Sequence, residues 1–159
     1  EAAVEAGRAA YELDPQGIFS RSWYCAPLLW SGRFAEGQAI LDRWQKDMPG
    51  HTWWVFCSMI MHSLQGRRSE SLAMIRDILA ENLAVAWNDT VAIWVFADTY
   101  SLCGETDEAL KWLEHGLDIG CFNYPFLSRL DPNLANIRGE SRFQKLMERV
   151  KYEWEHFEV

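Results

Sequence analysis

Four cysteines and four histidines are the side chains of this sequence best suited to hold a metal or attack an electrophile. Their spacing argues against both roles. Cys25, Cys57, Cys103 and Cys121 stand far apart with no Cys-x-x-Cys pair, whereas zinc sites draw on closely spaced ligand pairs. His51, His62, His115 and His156 add no recognised spacing, and Cys57 and His62 are five residues apart, not the i, i+4 that shares a helix face. No Gly-x-Ser-x-Gly, His-Glu-x-x-His or phosphate-cradling glycine loop occurs. Gly32-Arg33-Phe34 and Gly66-Arg67-Arg68 read as turns. The expectation is a chain with no catalytic residue, no metal and no cofactor. Its thiols should pack as small hydrophobes in a reducing, cytoplasmic compartment.

Aromatic surface is what the sequence holds in abundance. Tryptophan occurs nine times in 159 residues, at 23, 30, 44, 53, 54, 87, 94, 112 and 154. Tryptophans dominate binding energy when they anchor an interface and fill volume when they sit in a core. Which role each one takes depends on the elements that carry it.

Those elements repeat. Pro15 and Pro49 are 34 residues apart, and so are Gly32 and Gly66. A fixed period of that length marks a helix–turn–helix array. Glycine near the turn suits a left-handed helix cap, and Pro49 stops one unit and starts the next. No stretch alternates apolar and polar residues long enough for a sheet, so the chain is expected to be all-α. In this register a partial unit covers 1–15, with Ala3, Ala10 and Pro15 in place. Complete units cover 18–51 (Cys25, Leu28, Gly32, Phe34, Gly37, Leu41, Pro49), 52–85 (Gly66, with Ser71 and Ile78 where alanine is usual) and 90–123 (Ala97, Tyr100, Gly104, Ala109). Gly104 follows Gly66 by 38 residues, which places a four-residue insertion near 84–89.

Over residues 1–123 this pattern resembles the tetratricopeptide repeat family. The resemblance implies a right-handed α-α superhelix of about 3.5 units, and a concave face lined by five positions of each first helix. In the first unit these are Phe19, Ser22, Ala26, Leu29 and Trp30; in the second Trp53, Phe56, Ile60, Ser63 and Leu64; in the third Val91, Trp94, Asp98, Ser101 and Leu102. The expected groove is apolar and aromatic with one carboxylate. Phe19, Trp30, Trp53, Phe56, Ile60, Trp94 and Asp98 are its candidate partner-binding residues. For Trp53 and Phe56 the alternative is packing between units, while Trp44 and Trp112 are expected to be structural. The family's carboxylate clamp is not matched, because Ser22, Ala26, Cys57, Val91 and Val95 occupy the positions where it places cationic or amide donors.

After residue 123 the register changes. Asp131 is placed to cap a short helix that starts at Pro132. Ser141 and Gln144 have capping-box spacing for a longer helix with an apolar stripe of Phe143, Leu146, Met147, Val150, Trp154 and Phe157. Segment 124–159 therefore reads as the cap that closes a solenoid, with Trp154 and Phe157 buried. It also resembles the closing element of tetratricopeptide regions in bacterial serine/threonine kinases, nucleotide cyclases and winged-helix regulators, with Ser141 where proline is usual. That likeness implies a bacterial signalling protein.

A net charge of −8 disfavours a phosphate backbone as partner. The longest apolar run, near Trp53–Met61, is far shorter than the ~20 residues that span a bilayer. The chain begins part-way through a unit, as an excised fragment would, so an upstream signal or anchor would be out of view. The expected function is a protein-interaction module that takes a peptide or protein segment into the groove. The alternatives are regulatory self-association as a homodimer and, behind it, a sensor of small apolar ligands.

Overall fold

Every expected turn glycine ends its helix in the left-handed region, with φ of +74° at Gly32, +75° at Gly66 and +75° at Gly104. The same two hydrogen bonds recur at each. The residue after the glycine donates back to Leu28, His62 or Tyr100 at 2.8, 2.8 and 2.9 Å. The glycine N–H donates to Leu29, Ser63 or Ser101 at 3.0 Å. The pair closes carbonyls that a helix end leaves open, and a side chain with a Cβ would strain the backbone there.

The computed structural model describes residues 1–157, except the side chains of residues 82 and 85, and no strand occurs among the described residues. Residues 158 and 159 of the expected capping segment lie outside that range. Before that segment come α1 (Ala2–Leu13), α2 (Ile18–Trp30), α3 (Phe34–Asp47), α4 (Thr52–Leu64), α5 (Arg68–Asn88), α6 (Thr90–Leu102) and α7 (Thr106–Asp118). A π-helical turn (Phe126–Leu130), a 3-10 helix (Pro132–Ile137) and α8 (Ser141–Glu155) follow. The inserted residues lengthen α5, which has 21 residues against 14 in α3.

The chain divides into two compact units, Glu1–Arg67 and the residues from Arg68 onward. In the first, α2 lies against α1, α3 and α4. Its core holds Cys25, Leu28, Leu41, Trp44, Met59 and Met61, each almost wholly buried. Cys25 and Cys57 are hydrogen-bonding neighbours across α2 and α4. That contact and burial push the Cys25 thiol well above its ordinary pKa, so it stays protonated and unreactive. In the second unit α6 packs on α5, α7 and the 3-10 helix, around Ile93, Phe96, Ala97, Leu110 and Leu134. Trp44 and Trp112 are both buried core residues.

The capping segment differs from expectation at two points. Glu140, not Ser141, is the N-cap of α8, and no side chain bonds across that cap. The buried stripe holds Phe143, Leu146, Met147 and Val150, but Trp154 and Phe157 are 46% and 61% exposed. Arg149 already pairs with Asp118, the last residue of α7, at 2.8 Å, so the final turn of α8 runs past the helix that would cover it.

Candidate functional site

Helix α2 turns an aromatic stripe to water. Past its first residue, the positions that are exposed or half-buried are Phe19, Ser20, Trp23, Ala26 and Trp30, and the four apolar ones follow i, i+4, i+7, i+11 along one face. Phe19 is 61% and Trp23 50% exposed. A helix of a soluble unit normally turns that face inward. Here the opposite face carries Tyr24, Cys25, Leu28 and Leu29, all buried.

Two devices hold that orientation. Arg21, only 1% exposed, donates from Nε to the Pro15 carbonyl at 2.8 Å and from Nη2 to Asp47 Oδ2 at 2.6 Å, with its guanidinium 6.0 Å from the Trp44 ring centre. It pins the start of α2 to the preceding turn and to the end of α3. On the other flank Gly7 of α1 lies against the α2 backbone, where a Cβ would meet the Trp23 carbonyl oxygen at 2.5 Å. That carbonyl has no N–H four residues on, because position 27 is proline.

The structure brings three expected site residues together in the first unit. Phe19 meets Trp53 edge-to-face at 5.6 Å between ring centres, and Trp53 meets Phe56 at 6.2 Å. Phe56 and Ile60 are 4% and 8% exposed, so they belong to the core of this unit, not to a surface. Trp30 is half-buried at the far end of the stripe, with its indole N–H covered and no acceptor in reach.

Trp94 and Asp98 lie in the second unit, occupied by the chain itself. Trp94 stacks edge-to-face on Phe126 at 5.5 Å, and its indole Nε1 donates to Asp131 Oδ2 at 2.6 Å. Asp98 is 1% exposed and accepts from Asn133 Nδ2 at 2.8 Å. Ser101, one turn on, donates to the Asn133 carbonyl at 2.7 Å. Asp131 caps the 3-10 helix through the Asn133 N–H, as its position before Pro132 indicated. The carboxylate expected on an open groove is thus sealed beneath residues 131–137, and Trp94 is tied to the same segment. Burial raises the pKa of both acids, Asp98 most strongly.

Trp23 was not among the candidates, because its repeat position is not one of the five groove positions. Its i+4 spacing from Phe19 is the signal that finds it. Among the described residues no group of three or more His, Cys, Asp or Glu is placed to hold a metal ion, and no helix is long and apolar enough to cross a membrane. Compared with family models, curated proteins and solved structures, the chain finds no match.

Proposed function

We propose that this chain is a non-catalytic protein-interaction module, and that its helices build a right-handed tetratricopeptide-like superhelix within a bacterial signalling protein of the cytoplasm. The partner is a peptide or protein segment with apolar side chains, seated on Phe19, Trp23, Ala26 and Trp30 of α2 with Trp53 beside them. One observation carries this reading: a helix whose water-facing stripe is aromatic while Arg21 and Gly7 hold it in that orientation. Water around such a stripe is released when an apolar partner covers it, and rigid aromatic rings lose little conformational freedom in the process. Phe56 and Ile60 belong to the core of the first unit, while Trp94 and Asp98 serve the fold of the second.

Selection of a displayed random-peptide library against the folded chain tests the proposal. Enriched peptides should share apolar anchors, and their binding should fall on Phe19→Ala. A library that yields no binder sensitive to α2 substitutions contradicts it. Light scattering in the same buffer separates the self-association alternative, for which a stable dimer should dissociate on Ala26→Glu.

A further inference from the structure

We propose that Asp98 and Asp131 form a proton-holding latch: a carboxylic acid–carboxylate pair that seats residues 131–138 on α6 and loosens as pH rises. The geometry admits little else. Asp131 spends its oxygens as an acceptor, Oδ2 to the Trp94 indole N–H at 2.6 Å and Oδ1 to the Asn133 N–H at 3.0 Å. Asp98 Oδ2 accepts from Asn133 Nδ2, while its Oδ1 is sealed from solvent and no N–H or hydroxyl reaches it. The two carboxyl groups, 0% and 1% exposed, are held by the same residue, Asn133, which donates to one from its backbone and to the other from its side chain. Two acceptors can share a hydrogen bond only if one carries a proton. Asp98, whose Oδ1 is buried without a donor, is the acid; Asp131, with a donor on each oxygen and Arg138 beside it, is the carboxylate.

The surroundings fit that assignment. From α6 the pair meets the Trp94 indole; from the 3-10 helix it meets Asn133. Arg138, which also donates from Nη2 to the Asp131 carbonyl, is the one cation acting on Asp131. Among the described residues no charge from α5 or α7, the other helices of this unit packed on α6, acts on either acid. Burial, with the Asp131 charge second, pushes Asp98 well above the carboxylate range. Burial also raises Asp131, opposed by its Trp94, Asn133 and Asp98 bonds and by Arg138.

The sign follows from linkage. Seated, the pair keeps a proton; lifted into water, both acids return to the ordinary range near ~4 and release it. Raising the pH therefore favours the lifted state, by up to about tenfold per pH unit between the lifted and seated pKa of Asp98. Above the seated pKa the dependence stops. The latch holds most firmly in acid.

Hydrogen exchange of the 131–138 backbone amides in the full chain, from pH 5 to 8 and corrected for intrinsic rates, reads this directly. The wild-type opening constant should climb with pH by up to about tenfold per unit. Asp98→Asn keeps the Asn133 bond and supplies a permanent donor to Asp131, so its opening constant should stay flat. Equal slopes in the two proteins overturn the proposal. A second measurement needs no variant: in a carboxyl 13C NMR titration of the wild type one aspartate should keep its proton after the exposed aspartates have ionised, and a set that ionises together overturns it.

Discussion

Gly7→Ala should destabilise the first unit although alanine is the better helix former. At Gly7 an added Cβ meets backbone, not a flexible side chain: the Trp23 carbonyl oxygen at 2.5 Å, the Tyr24 Cα at 2.9 Å and the Trp23 carbonyl carbon at 3.2 Å. Restoring an ordinary contact of about 3.4 Å requires α1 and α2 to part by about 0.9 Å, which core packing resists. Overpacking of this kind costs roughly 1–3 kcal/mol, and the upper part of that range applies because neither backbone can rotate away. Helix propensity returns up to about 1 kcal/mol. The net expectation is a loss of about 1–2 kcal/mol, seen as a fall of about 2–8 °C in melting temperature for a chain of this size. Gly139 is the control, since a Cβ there meets nothing within 4 Å. Gly139→Ala should stay within about 0.5 kcal/mol of wild type. Thermal melting followed by far-UV circular dichroism measures both. If Gly7→Ala melts at or above wild type, α1 does not brace α2 as argued.

Trp44→Ala, at a site with no exposure, should cost about 3–5 kcal/mol by denaturant titration. Trp154→Ala, at a site 46% exposed, should stay within about 0.5 kcal/mol. Trp94→Phe removes the donor to Asp131 and should cost about 1.5–3 kcal/mol in stability, read from the same titration. Deleting residues 141–159 strips Phe143, Leu146, Met147 and Val150 from α7 and should yield aggregation or a broad, non-cooperative melt. A truncated chain that melts unchanged would make α8 an appendage.

The periodic residues carried most of the fold. Gly32, Gly66 and Gly104 are legible because a left-handed cap restricts the choice of residue so strongly, and Asp131-Pro132 because cap and first-turn chemistry are local. The candidate site was legible only in part. Groove positions taken from a repeat pattern include Phe19 and Trp53, which meet edge-to-face, but they say nothing of what else the chain lays over a helix. Asp98 is buried by Asn133, 35 residues away, and no local signal announces that contact. Trp154 and Phe157 continue a stripe in sequence, yet burial depends on where the neighbouring helix ends. Trp23 escaped for a different reason: Arg21 and Gly7 together hold how α2 turns in its unit, and neither position carries that meaning alone.

The affinity of a selected peptide for the wild type and for Ala26→Glu, measured by isothermal titration beside their melting curves, tests the central claim most directly. Ala26 lies mid-stripe between Trp23 and Trp30, so a carboxylate there puts a charge into the buried centre of the proposed interface without emptying the core. A loss of at least about 2 kcal/mol in binding, roughly thirtyfold in Kd, with an unchanged melting temperature is the predicted result. An unchanged Kd would place the partner elsewhere and leave the aromatic face of α2 without a role in binding.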